Sequence, residues 1–430
     1  MTPLISDNLN DKTSVAKVST FSIKSLMMLW LKVLALVLLS GLTFGGHPEN
    51  LERGDLMTSF KRFVEGKADD YDLYIIKSLA EEIEEEPPDY VRFFTKGLIA
   101  ERHGKLEEAI ENYLLSIELK PDYNPSYFRF NALIRKVDNP ESFRKKMTDI
   151  IWSRFSIPPP VIVENPDDKY VFLVEKMSQY LLIYRGKVLE NLYPVTTGQD
   201  WEDKWVEGDK RTPEGIYYFT EFIPPRRLPK MYGGIAVVLN YPNPVDRLLG
   251  KGGSGIWLHG SDEENRNNIP FSTRGCVVAD NNDLRSIVKK IAKNNTLIAI
   301  YKEIPTEIEV DDVRDFLRRW EDSWEGKDLE GYLSFYSKNF RWKRGGYNSW
   351  ARYKRRVILG KKEIDVSIED LTVLAFRRGL SEEIEYYVAE FVQLYSSDNY
   401  SDRGFKRLYI IKEDGELKIL REEFRKVRNP

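Results

Sequence analysis

Apolar positions recur along this chain with several different periods, and each change of period marks a change of architecture. Residues 1–24 are polar and carry Lys12, Lys17 and Lys24. Ser25–Phe44 is then apolar on every face, about 30 Å long as a helix, with Lys32 as its only charge. Two readings fit 1–46. One is a cytoplasmic tail and uncleaved inner-membrane anchor, oriented by the lysines. The other is a signal peptide with its apolar core from Val33 and small residues near Gly45-Gly46. Either exports everything from about His47 onward.

Residues 47–156 read as helical. Leu73, Ile76, Leu79, Ala80 and Ile83 share a face that Pro87-Pro88 ends, and the pattern resumes from Tyr90 to Pro121. The acidic run Glu82–Glu86 reads as a solvated helix end. Pro158-Pro159-Pro160 marks a stiff boundary. Across 161–304 the period falls to that of strands. These are expected at Tyr170–Val174, Tyr180–Tyr184, Val188–Tyr193, Ile216–Phe222, Ile235–Leu239, Ile256–His259 and Leu297–Tyr301, with one short helix over Asp283–Ala292. In 306–430, helices come first: Val313, Phe316, Leu317, Trp320 and Trp324 line one face, and Leu329, Tyr332, Leu333 and Tyr336 another. Strands follow at Ile364–Leu374, Tyr386–Tyr395, Phe405–Ile411 and Leu417–Glu422, an α+β order. The chain is thus multidomain: a helical N-terminal region, a mainly-β middle and an α+β end.

Composition narrows the function. A net charge of −3 removes any bulk electrostatic case for nucleic acid. One cysteine forms no intramolecular disulfide, and with three scattered histidines it makes no Cys/His zinc site. Cys276 and His259, each beside a glycine, remain as a candidate nucleophile and base, because a cysteine attacks as its thiolate and needs a group to take its proton. In the C-terminal part, the basic stretch Arg341–Arg356 interleaves Trp342, Tyr347, Trp350 and Tyr353. It reads as a solvated loop with aromatic core contacts, ahead of a grip on an anionic polymer or glycan.

The surroundings of the pair are specific. His259-Gly260, a spacer, then Ser272-Thr273-Arg274-Gly275-Cys276 resembles the signature of the L,D-transpeptidase (YkuD-type) family. Thr196-Thr197-Gly198, Arg211-Thr212-Pro213-Glu214-Gly215 and Leu239-Asn240-Tyr241-Pro242-Asn243 are similar to segments that precede it in that family. The chain departs from the family at Arg274, where a histidine is usual, and at Val278, where Asn or Arg is usual. The resemblance implies a β-sandwich acting on peptidoglycan stem peptides without a cofactor or metal. Cys276 would attack the carbonyl between the diamino acid and the terminal D-Ala. His259 would carry the proton, oriented by the Gly260 backbone carbonyl. The Gly275 and Cys276 amides would hold the oxyanion, and Arg274, Ser272, Thr273 and Asn240 would meet substrate.

Tyr90–Pro121 resembles one tetratricopeptide repeat, with Phe93, Gly97, Gly104, Ala109, Tyr113 and Pro121 at its marked positions and Tyr127, Phe128 and Phe130 as its cover. The run Trp324–Leu333 followed by Phe335-Tyr336 resembles the opening of a nuclear-transport-factor-like (SnoaL-like) cone. The whole order resembles the cell-shape-determining L,D-carboxypeptidases. That favours hydrolysis in the cell envelope over 3-3 cross-linking, with an inactive peptidoglycan-binding protein as the alternative of a different class. A homodimer or an envelope protein partner, through the helical or C-terminal domain, is a further expectation.

Overall fold

The computed structural model describes residues 88–342, 345–378 and 385–427. The expected membrane segment 25–44, the helix at Leu73–Glu86 and the acidic run lie outside them. Among the described residues, no helix is long and apolar enough to cross a membrane. The chain divides into two compact units, 1–109 and 110–430. The described part of the first contains helix α1 (Asp89–Arg102) and the start of α2 (Leu106–Leu119). Both helices fall where the sequence expects a helical pair.

In the second unit, α3 (Asn124–Leu133) and α4 (Pro140–Phe155) follow. Tyr127 and Phe130 are buried. Phe128 is not: it turns to the β region that follows, edge-on to Trp201 and stacked on Phe271. On α4, Phe143, Met147, Ile151 and Phe155 are buried at helical spacing. Arg154 pairs with Glu175 in a site where both are almost wholly buried, and Tyr184 donates to the Phe155 carbonyl (2.8 Å). The helices are therefore a wall of the β region.

That region is a closed eight-stranded barrel. Its strands are β2 (Tyr170–Glu175), β3 (Tyr180–Arg185), β4 (Val188–Thr196), β5 (Gly215–Ile223), β6 (Ala236–Leu239), β7 (Trp257–His259), β8 (Val277–Ala279) and β9 (Leu297–Tyr301). The implied sandwich is closed at its edges because the two longest strands serve both layers. The first part of β4 pairs with β3, and its end, Val195-Thr196, pairs with β8. β5 pairs with β9 up to Tyr218 and with β6 from Phe219. A register shift falls in each long strand, as corners between sheets require. The core holds Phe172, Tyr217, Phe219, Leu258, Val277 and Ile298 among others, all fully buried.

The C-terminal domain begins with α7 (Val313–Glu325) and α8 (Leu329–Ser334), after two short barrel helices, α5 (Pro244–Leu248) and α6 (Asn281–Ile287). α9 (Tyr347–Leu359) corrects the loop expectation for Arg341–Arg356. Its aromatic residues are a core stripe at helical spacing: Trp350 is buried against Tyr336 and Phe340, and Tyr353 stacks on Trp342. A two-stranded ribbon, β10 (Arg341–Trp342) and β11 (Gly345–Gly346), precedes α9, and a long antiparallel sheet curls against the helices: β12 (Ile364–Phe376), β13 (Tyr386–Ser397), β14 (Tyr400–Glu413) and β15 (Glu416–Lys426). A short strand just after the prolines, β1 (Ile162–Glu164), pairs with the edge of β12, so the linker is stitched into the C-terminal sheet.

The sheet and the barrel share a polar, buried boundary. Tyr386 OH accepts from the Ile216 amide (2.6 Å) and from Asn243 Nδ2 (3.2 Å). Tyr301 OH donates to the Ala375 carbonyl (2.6 Å). Arg407 lies over the Tyr218 ring, reaches the Asn294 carbonyl (2.7 Å) and pairs with Glu390 and Glu423. Arg407→Ala leaves Glu390, 2% exposed, without its cation, and should lower stability by about 3–5 kcal/mol. Replacing both by Met and Leu should regain most of that, since no charge then stays buried. Chemical denaturation of the three proteins checks both statements; equal losses in both variants would contradict them.

Candidate active site

Strands β7 and β8 run side by side in parallel, with Leu258 opposite Val277 and His259 opposite Val278. Side chains alternate along each strand. Leu258, Val277 and Ala279 point into the barrel core. Trp257, His259, Cys276 and Val278 therefore share the outer face. A cleft of about 440 Å³ opens there, lined by His259, Cys276, Val278, Gln199, Met231, Tyr232, Ser261–Glu263, Arg266 and Ser272–Arg274.

The imidazole is held on two sides. Nδ1 lies 2.5 Å from the Gly260 carbonyl. A carbonyl only accepts, so Nδ1 carries the proton and Nε2 is left with its lone pair. The Tyr232 ring meets the imidazole edge-to-face, at 4.8 Å and 77°. His259 is 8% exposed. Burial pushes its pKa below 6.5; the Gly260 carbonyl opposes that, and the Arg266 cation adds to it. The ring is neutral at pH 7.

Cys276 Sγ lies 3.6 Å from the Gly255 carbonyl, to which the thiol donates. Burial pushes the thiol up to about 11; the Trp257 amide and the Lys204 cation pull it down without offsetting burial. At rest, the pair is a neutral thiol and a neutral imidazole.

The turn before the cysteine is woven from the segments that the resemblance singled out. Thr273 N donates to the Thr197 carbonyl and Gln199 N to the Thr273 carbonyl, each at 2.9 Å. Thr212 Oγ1 accepts from Gly198 N (2.8 Å) and donates to the Gly275 carbonyl (3.0 Å). Gly275 has φ = +124°, and a Cβ there would sit 2.6 Å from the Arg211 carbonyl, so only glycine fits. Gln179, buried below, joins the walls: its Oε1 accepts from Thr197 N and Phe271 N, each at 3.1 Å. From the helical side, Arg144 Nη2 donates to the Asn268 carbonyl (3.2 Å).

Several expected roles change. The Gly275 amide donates to Thr273 Oγ1 (3.0 Å), so it is engaged within the turn and is not an open oxyanion donor. Thr273, 7% exposed, closes that turn by donating to the Cys276 carbonyl (2.7 Å), so its hydroxyl serves structure. Ser272 lines the cleft, but its hydroxyl meets Thr196 Oγ1 (3.1 Å). Asn240 is absent from the cleft lining. Its Oδ1 accepts from Tyr218 N (2.7 Å) and its Nδ2 donates to Tyr409 OH (3.2 Å), so it joins the barrel to the C-terminal sheet. Arg274 does line the cleft; it is exposed and makes no hydrogen bond or ion pair among the described residues. Sequence reasoning missed Tyr232, Met231, Arg266 and Gln179. Tyr232, Met231 and Gln179 come from segments distant in sequence, Arg266 lies in the spacer between His259 and Cys276, and no local motif marks any of them. Among the described residues, no group of three or more His, Cys, Asp or Glu side chains is arranged to hold a metal ion.

Residues 169–300 match the family model of the L,D-transpeptidase catalytic domain, YkuD. Residues 312–423 match that of the Cds6 C-terminal NTF2-like domain. Among solved structures, Bd1075 of Bdellovibrio bacteriovorus is similar at 27% identity and a TM-score of 0.54, covering 63% of this chain and 99% of that one. The helical cell shape determining protein Pgp2 of Campylobacter jejuni is similar at 26% identity and a TM-score of 0.50, covering 64% of this chain and 99% of that one. No curated protein matches the chain. This chain therefore carries a YkuD-type L,D-transpeptidase catalytic domain followed by an NTF2-like C-terminal domain.

Proposed function

We propose that this chain is a peptidoglycan-remodelling enzyme of the cell envelope that trims stem tetrapeptides at the bond between the diamino acid and the terminal D-Ala. The observation that carries the reading is the common face of His259 and Cys276 in one cleft, with Nε2 left free by the Nδ1 bond to Gly260. Hydrolysis is favoured over cross-linking because Pgp2, similar over nearly its whole length, is a helical cell shape determining protein. In this reading the helical pair is a tetratricopeptide-like spacer or dimerisation arm, and export runs through the apolar segment 25–44.

The proton bookkeeping follows from the neutral resting pair. As Cys276 Sγ bonds to the carbonyl carbon, its proton passes to His259 Nε2. The carbonyl oxygen becomes an oxyanion, held by the Cys276 amide, since the Gly275 amide is taken up by the Thr273 turn. Collapse breaks the peptide bond, and the imidazolium protonates the leaving D-Ala amine, leaving a thioester. Water then attacks, gives its proton to Nε2, and the tripeptide leaves as the thiol is restored. The Arg274 guanidinium meets a substrate carboxylate.

Disaccharide-tetrapeptide incubated with the exported portion should lose one alanine by mass spectrometry. Cys276→Ala and His259→Ala should each reduce this by at least about a thousandfold, since a triad-type unit fails as a whole when one member is removed. Cross-linked dimers would move the reading to transpeptidation, and an unchanged substrate with wild-type protein would sink it.

The pH dependence has a defined sign. Lowering the pH protonates His259 and removes the base, so the acid limb should have its midpoint below 6.5, with a flat rate from there through neutrality. Alkylation of the free enzyme by iodoacetamide should keep rising toward pH 11, because the thiol stays protonated until then. A reactivity plateau already reached at pH 6 would mean a preformed imidazolium–thiolate pair instead.

Arg274→Ala should raise KM by about tenfold with kcat within about twofold, the signature of a lost binding contact made equally in ground and transition states. Steady-state kinetics on the tetrapeptide checks it, and a kcat loss at unchanged KM would place Arg274 elsewhere in the mechanism.

A further inference from the structure

Asn281 has no part in the acyl-transfer scheme, yet its side chain grips the strand end that carries the base. It is the first residue of α6, five positions beyond Cys276, next to the Asp280 cap. Its Nδ2 donates to the Ser261 carbonyl (2.7 Å), and its Oδ1 accepts from the Ser261 amide (3.1 Å). The same Oδ1 fills space that a side chain at Gly260 or Gly233 would need: a Cβ at either would collide with it. The two glycines thus leave a slot, and Asn281 occupies it.

The Ser261 N–H and the Gly260 C=O belong to one peptide unit, which is planar and rigid. Turning one turns the other. Gly260 has no side chain to hold that plane, and its own amide makes only a long bond, 3.3 Å, to Ile235 O. The Asn281 contact therefore sets the direction of the carbonyl that accepts from His259 Nδ1 at 2.5 Å. We propose that Asn281 is a positioning residue: through the Gly260–Ser261 peptide it selects the Nδ1–H tautomer of His259 and keeps Nε2 directed into the cleft. The chain of contacts runs from Asn281 to peptide, to imidazole, to the face that carries the thiol. It ties the element after the nucleophile to the strand of the base, so the two cannot drift apart independently. The turnover arm of the test rests on the acyl-transfer reading; the spectroscopic arm does not.

Nuclear magnetic resonance of full-length protein labelled with ¹⁵N-histidine separates the two. Wild-type His259 should show a protonated Nδ1 at pH 8. In Asn281→Ala that assignment should be lost to Nε2–H or to exchange between tautomers, while the thermal midpoint stays within a few degrees. With tetrapeptide, kcat should fall about ten- to a hundredfold with KM within about twofold, the scale expected when a catalytic group is misplaced. Gly260→Ala reaches the contact from the other side, since its methyl takes the place of Oδ1. It should give the same tautomer loss with Asn281 present, and the double variant should be no worse than either single one. An unchanged His259 tautomer in Asn281→Ala, or multiplied losses in the double variant, would overturn the proposal. Wild-type protein that turns over no tetrapeptide but shows the Asn281-dependent tautomer would overturn the acyl-transfer reading and leave this one standing.

Discussion

The parallel register of β7 against β8, Leu258 on Val277 and His259 on Val278, is the constraint on which the site depends. The side-chain period of a strand is two, so a slip of one residue on either strand would reverse its faces. His259 or Cys276 would enter the barrel core, and Leu258 or Val277 would face water. The apolar residues between the polar ones set the register, because Leu258 and Val277 are fully buried and gain the most from staying so. The chemistry on the outer face is held in place by hydrophobic burial on the inner one.

Short strands do not hold a register alone. β7 and β8 have three residues each, and everything around them supplies support that their own ladders lack. β4 and β5 bridge the two layers, the Thr197–Gln199 segment pairs with Thr273, and α3 and α4 press Phe128 and Arg144 on the loop that separates His259 from Cys276. The C-terminal sheet acts from the far side, through Tyr386 on Ile216 and Asn243 and through Tyr409 on Asn240. Helices α3 and α4 and the C-terminal sheet are thus mechanically continuous with the barrel. Their buried hydrogen bonds go to backbone amides and side-chain amides of the barrel, which would be costly to leave unpaired.

How much of this was legible in the chain depended on the range of the interaction. Alternating or helical apolar periods located β9 to the residue and α7 to within one, because burial of one face is a local property. Cys276, His259 and the Gly260 carbonyl could be named because they sit in a contiguous signature. β8 passed unread, since three residues are too few to display a period. The sequence of α9 reads as a loop because its basic residues mask the aromatic stripe of Trp350 and Tyr353 beneath them. The signature points Asn240 to substrate and the Gly275 amide to the oxyanion, and both are spent on the protein itself. That outcome turns on partners such as Tyr409, distant in sequence. Asn281 carried no signal at all: its grip on Ser261 exists only once β7 and α6 are side by side.

Electrostatics gives the arrangement its resting state. Burial moves the thiol up and the imidazole down, so both shifts oppose a preformed ion pair. In the proposed reaction the charges arise only as substrate is attacked, when the imidazolium, the oxyanion and the leaving amine succeed one another. Oxidation follows thiolate character, and Cys276 has no second cysteine in its own chain to form a reversible disulfide. A thiol held neutral until the substrate carbonyl arrives is nucleophilic when the base can take its proton and resistant at other times. Orientation of the base then matters more than its basicity, and the single peptide plane at Gly260–Ser261 controls that orientation.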